Sequence, residues 1–226
     1  MRKVLILTAL LAMGAASGVS WAQEADVSPT INETFKNADL NVDSYVASFS
    51  SESREAYTAR ADVVKAMSLK PGQAVADVGA GTGVYTRLFA QAVGPTGKVY
   101  ATDLAPKFLA LIAANMAKEG FKNVQTVQAG DRGTNLPTAS VDVLFHSDVY
   151  HHFEFPMTMN ADIRRTLKPG GQLYVLELHK TGTRIAHVRA PKEVVIAEIE
   201  KAGFKLVEDI KVPGLRESYL LQFRKA

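Results

Sequence analysis

Residues 75–86 read Val75-Ala76-Asp77-Val78-Gly79-Ala80-Gly81-Thr82-Gly83-Val84-Tyr85-Thr86, a short apolar run that passes through three glycines at alternate positions into a helical pattern. Without side chains at those positions the backbone can turn tightly and approach a bound molecule closely. The spacing differs from the G-x-G-x-x-G pattern that sets a dinucleotide pyrophosphate on a helix N-terminus. Asp77 places negative charge beside the same loop, which suits a cationic ligand better than a phosphate.

Outward from this loop the chain alternates between two periodicities. Strand-like runs fall at 74–78, 98–102, 124–128, 141–146, 172–178, 204–212 and 218–224, and helical patterns at 84–93, 106–119, 156–167 and 191–202. Alternation with short connections predicts a mostly parallel sheet with helices on both faces, because right-handed crossovers put them there. In such a sheet ligands bind beyond the carboxyl ends of the strands, near the point where strand order reverses. Upstream, residues 42–69 show a helical period interrupted at Ser50-Ser51, which predicts two helices before the first strand.

The chain has 226 residues, 47% hydrophobic and 22% charged, enough for one sizeable core. It contains no cysteine, which excludes disulfide scaffolds, iron–sulfur clusters, thiolate zinc sites and cysteine nucleophiles. Residues 1–22 combine Arg2 and Lys3, an apolar run over 4–16 and the small-residue junction Ser20-Trp21-Ala22, the pattern of an export signal peptide cleaved after Ala22. The expected organisation is therefore a signal peptide at 1–22, a flexible polar leader at 23–41 and one domain over 42–226, exported and periplasmic, with no stable membrane span after cleavage. Losing Arg2 and Lys3 leaves 24 basic against 23 acidic residues, a net charge of +1. The charges are mixed along the chain, so a nucleic-acid partner has no compositional support.

The run 77–83 resembles the first motif of class I S-adenosylmethionine-dependent methyltransferases, and further segments match in order. Asp103 resembles the family's acidic residue at the end of the second strand, Ala129-Gly130-Asp131 its third-strand segment, residues 141–153 its fourth-strand motif, and Leu167-Lys168-Pro169-Gly170-Gly171 its lead into the fifth strand. The resemblance implies a doubly wound, mostly parallel seven-stranded Rossmann-like α/β sheet whose last strand is antiparallel. It implies S-adenosyl-L-methionine as cofactor, held by Asp77, Gly79, Ala80, Gly81, Gly83, Asp103, Leu104, Gly130, Asp131, Arg132 and Ser147. It also implies methyl transfer, here to a small-molecule or lipid-like acceptor. The alternative is an exported module that binds the cofactor without catalysis, as a sensor or carrier. A nicotinamide-dependent oxidoreductase shares the general fold, but the glycine spacing argues against it.

All five histidines lie between 146 and 187, at positions the topology brings toward the ligand edge of the sheet. His151 and His152 are the expected catalytic pair, because a protonated nucleophile needs a base. His146 reads as a core residue. No metal is expected; Asp148, His152 and His179 form the set that would hold one. Arg54, Glu55 and Tyr57 read first as core or solvent-facing residues that could cover the ligand.

Overall fold

The computed structural model describes residues 24–181 and 186–226, so the expected signal peptide lies outside the described residues. Four helices come first: α1 (Glu33–Lys36), α2 (Val42–Phe49), α3 (Glu55–Thr58) and α4 (Arg60–Met67). The pattern over 42–69 thus makes three pieces where two helices were expected, with Ala59 (φ −88°, ψ 4°) separating α3 from α4.

The alternating unit follows as β1 (Ala74–Val78), α5 (Val84–Val93), β2 (Lys98–Asp103), α6 (Pro106–Lys118), β3 (Val124–Gln128), β4 (Val141–Ser147), α7 (Pro156–Thr166), β5 (Leu167–Leu178), α8 (Lys192–Lys201), β6 (Phe204–Ile210) and β7 (Ser218–Lys225). These strands make one seven-stranded sheet in the order β3-β2-β1-β4-β5-β7-β6. The first five strands pair in parallel, whereas β7 runs antiparallel to both β5 and β6. The expected doubly wound sheet and its antiparallel last strand are both present.

Side chains alternate across the sheet as the pleat requires. On β4, Leu144 enters the core beneath α7 and α8 with Ile163, Val175 and Ile199, while Val143 and Phe145 enter the opposite core with Val63, Phe89 and Leu176. β1 sits between β2 and β4, where the winding reverses, and Asp77 pairs in register with Ala101 on one side and Phe145 on the other. A crevice therefore opens above the carboxyl ends of these strands.

Residues 24–41, expected to form a loose leader, pack instead against the end of β4 and the start of α7. The Glu24 carboxylate accepts the N–H groups of Met157 (2.9 Å) and Thr158 (2.7 Å), and Val27 N–H donates to Glu154 O at 2.9 Å. Asn32, buried, donates to His152 O (2.8 Å) and to the Glu154 carboxylate (3.0 Å). Leu40 and Phe35 pack with Phe108. The segment shows no period of its own because its polar side chains satisfy backbone and carboxylate groups more than 100 residues away.

The first N–H groups of a helix have no partner within it, and Glu24 supplies one to α7 from a distance. Glu24→Ala should cost about 1 kcal/mol of stability, seen as a fall of ~2–4 °C in the thermal midpoint; an unchanged midpoint would show that water replaces the carboxylate without loss.

Candidate active site

The loop after β1 is shaped by backbone that side chains would obstruct. Gly79 has φ +66° and Gly81 φ +54°, in the left-handed region that favours glycine. A Cβ on Gly79 would fall 2.4 Å from Val149 Cγ2, and one on Gly81 would fall 3.0 Å from the Phe49 ring. The loop is thus held between the turn after β4 and the last residue of α2.

Two carboxylates secure the loop from below. Asp103, buried at the end of β2, accepts Gly81 N–H through one oxygen and Ala105 N–H through the other, each at 2.8 Å. Burial raises its pKa, against the lowering effect of those backbone donors. Asp77, buried at the end of β1, accepts the Thr86 hydroxyl at 2.6 Å. Burial pushes the Asp77 carboxyl up to about 7, the Thr86 bond opposes this, and the charge of Asp103 adds to it. No Lys or Arg pairs with either carboxylate in the described structure, which leaves two acidic groups beside the glycine-rich loop.

Above them lies a cavity of about 620 Å³, within the roughly 300–1,000 Å³ range of small-molecule sites. Its floor comes from β1, β2 and β4. Its roof comes from the N-terminal helices, where Phe35, Tyr45 and Phe49 pack ring against ring with Phe108 at centroid distances of 5.3–6.2 Å. The roof is tied down at two points. Tyr85 hydroxyl donates to Ala56 O at 2.6 Å, and one Glu55 oxygen accepts the N–H groups of Arg216, Glu217 and Ser218 at 2.8–3.1 Å. Glu55 therefore clamps α3 to the start of β7, a more specific role than a solvent-facing charge.

The histidines divide into three environments. His146 is fully buried beside Tyr150 and Phe153, its ring nitrogens lack a hydrogen-bond partner among the described residues, and burial lowers its pKa to about 4, in keeping with a core residue. His179 packs against Tyr219, ring centroids 5.0 Å apart. His151 and His152, on the 3-10 turn Tyr150–His152, face the cavity together with His187.

His151 is buried; its Nδ1 lies 2.8 Å from the carboxylate of Glu177, and its Nε2 lies 3.0 Å from His187 Nε2. Burial opposes a charged imidazole, but the Glu177 carboxylate outweighs it, so the His151 pKa is raised and that of Glu177 is lowered. His152 is lowered to about 3 by burial and by its two histidine neighbours. Nearby, Asp148 pairs with Arg54 and holds a left-handed backbone at φ +53°; burial and then the charge of Glu177 raise its pKa.

Of the residues expected at the ligand site, Asp77, Gly79, Ala80, Gly81, Asp103, Leu104, Gly130, Asp131, Ser147, His151 and His152 all line the cavity. Gly83 and Arg132 do not. Gly83 caps α5 and abuts Ile112, where a Cβ would fall 2.9 Å from Cγ1. Arg132 is turned outward by the Gly130–Gly133 bridge and lies over the Phe155 ring, 3.5 Å from its centroid. Asp131 forms an ion pair with Lys36 at 2.7 Å. The set Asp148, His152 and His179 is not assembled, because Asp148 is taken by Arg54 and His179 by Tyr219. Glu177 was missed: it stands inside an apolar strand with no motif around it. His187 carries no local signal for its place beside His151, which only the fold supplies.

A family model described as a methyltransferase domain matches residues 76–175. A ubiquinone/menaquinone biosynthesis C-methyltransferase of Ectopseudomonas mendocina is 34% identical over 120 residues, which cover 53% of this chain and 47% of that protein. An arsenite methyltransferase of Halobacterium salinarum is 30% identical over 146 residues, 64% of this chain and 36% of that protein. The chain thus spans half or less of the length of these curated relatives. Among solved structures, a SAM-dependent methyltransferase from Aquifex aeolicus superposes with a TM-score of 0.72 at 24% identity, covering 81% of this chain and 98% of that one.

The raised pKa of Asp77 has a signed consequence for stability. From its ordinary value near 3.8 up to about 7, the folded state holds a proton that the unfolded chain has released, so this group's contribution falls as pH rises through that window and is level above it. Asp77→Asn removes the effect while keeping an acceptor for Thr86. The variant's thermal midpoint relative to the parent should rise from about pH 4 to about pH 7 by at least ~2 °C. A difference that does not vary with pH would show that Asp77 ionises normally.

Proposed function

The chain belongs to the class I S-adenosylmethionine-dependent methyltransferase family, and on that premise we propose that it transfers a methyl group from S-adenosylmethionine to a small apolar acceptor bearing an ionisable oxygen or a similar nucleophile. The observation that carries this reading is one cavity bounded by the glycine loop and two unpaired buried carboxylates on one side and by aromatic rings and a carboxylate-backed histidine on the other.

The residues fit the cofactor on two counts. Gly79 and Gly81 take the left-handed turn that sets bare backbone at the cavity wall, and Asp77 with Asp103 offers negative charge to a cation and acceptor oxygens to hydroxyl or amino groups. Gly79, Ala80, Gly81 and Ser147 would line the cofactor's path, and Leu104, Gly130 and Asp131 would flank its base. When bound, the cofactor supplies an electrophilic methyl carbon on a sulfonium sulfur. The protein's share of the rate then comes largely from holding the acceptor in line and keeping water out.

The aromatic roof suits a ring-bearing or lipid-like acceptor. Several relatives are named for quinone methylation, which supports that chemical class. Arsenite, named for another relative, is a soft thiophilic acceptor, and this chain has no cysteine to bind it. In this reading His151 takes the acceptor's proton, supported by its position at the cavity wall and the Glu177 carboxylate behind it. Glu177 fixes its Nδ1 side, leaving Nε2 for the acceptor directly or through His187. The cofactor would give up its methyl group and leave as the neutral thioether, and His151 would accept the proton that the acceptor loses. Export, with cleavage after Ala22, belongs to this proposal and rests on residues 1–22 alone.

Calorimetric titration of the chain with S-adenosylmethionine and S-adenosylhomocysteine tests the reading. Both should bind, and Asp103→Ala should weaken them at least ~10-fold, through lost acceptor oxygens and a slackened Gly81 loop. Failure of both to bind would overturn it. With an acceptor found among phenols and quinols, His151→Ala should lower turnover by roughly 10²–10⁴ and leave cofactor affinity nearly unchanged. Binding of both nucleosides with no transfer to any acceptor would assign the site to a cofactor-binding module instead.

A further inference from the structure

His151, His152 and His187 each present a ring nitrogen such that all three lie within 4.8 Å of one another, at the wall of the cavity. The closest pair, His151 Nε2 and His187 Nε2, is 3.0 Å apart. Two nitrogens bound at about 2.0–2.1 Å to one tetrahedral ion stand about 3.3 Å apart, so this pair is already at ligand spacing. His152 is half-buried, and its Nδ1 has no hydrogen-bond partner among the described residues.

The surroundings favour a cation. Glu177 receives His151 Nδ1 at 2.8 Å and His151 backbone N–H at 3.2 Å, which fixes the ring and turns Nε2 toward His187. A carboxylate behind a histidine is the arrangement that orients metal-ligating imidazoles and raises their basicity. Asp148 adds negative charge toward the same imidazole, and its partner Arg54 offsets part of it, so Glu177 supplies the larger share.

We propose that His151, His152 and His187 form a binding site for a divalent transition-metal ion of the zinc type, with its fourth position open to the cavity. All-imidazole ligation suits zinc, cobalt, nickel or copper and disfavours magnesium and calcium, which take oxygen ligands. Binding displaces the proton held between the two Nε2 atoms. The fourth position takes water or an oxygen of a bound acceptor. With the ion bound, His151 Nε2 is a ligand and no longer a base, and a coordinated hydroxyl instead releases its proton to solvent more readily, since the ion stabilises the oxyanion. Metal binding stands on the histidine geometry alone and does not depend on methyl transfer.

The test uses the full chain without a histidine tag, stripped with chelator and titrated with Co²⁺, then with Zn²⁺ in competition. One Co²⁺ per chain should bind and give the intense visible absorption of a tetrahedral site, which Zn²⁺ abolishes. His187→Ala lies at an exposed position, so folding should be retained, and it should weaken Co²⁺ binding at least ~10-fold; Glu177→Gln should weaken it by about 10–100-fold. No stoichiometric binding, or equal binding by His187→Ala, would mean at most an adventitious ion and would overturn the site. Parallel titration with S-adenosylhomocysteine reads the cofactor pocket separately, so loss of one result leaves the other standing.

Discussion

The bond from Gly81 N–H to the buried Asp103 carboxylate is the constraint on which the site depends. It fixes a left-handed loop that only glycine adopts without strain, and it does so from the end of the neighbouring strand, so the loop cannot shift without pulling on the sheet. Val149 and Phe49 close on the space left at Gly79 and Gly81. The turn after β4 and the end of α2 are therefore positioned by the same absence of side chains that shapes the loop.

The charges around the cavity are arranged unevenly. On the glycine-loop side, Asp77 and Asp103 are buried with only neutral hydrogen-bond donors, an unfavourable arrangement that a cationic ligand would relieve. On the opposite side, Arg54 answers Asp148 and His151 answers Glu177. The first half holds carboxylates without a cationic partner, and the second holds its carboxylates in pairs, with the ring nitrogens of His151, His152 and His187 gathered beside them. The methyl donor proposed above, cationic as it arrives, matches the first half.

The roof adds a dependence between distant parts of the chain. Glu24, Asn32, Lys36 and Glu55 reach α7, Glu154, Asp131 and the start of β7, and the rings of α2 come to rest over the loop. The aromatic side of the cavity is thus built largely by residues that precede the first strand. This is how a domain whose described strands and helices are joined by short connections encloses a pocket of this size.

Local pattern was enough to establish the alternation of strands and helices, the glycine loop, and the acidic residues ending β1 and β2, because each is set by period, turn chemistry or motif within a few residues of itself. Short-range signals also misled. Residues 24–41 looked loose since their partners lie across the molecule, and Arg132 and Gly83 belonged to matched motifs yet are turned from the cavity by a local bridge and a helix contact. The pairing of Glu177 with His151, and of His151 with His187, joins residues 26 and 36 positions apart, a proximity with no local signature that exists only once the sheet has brought the ends of β4 and β5 side by side.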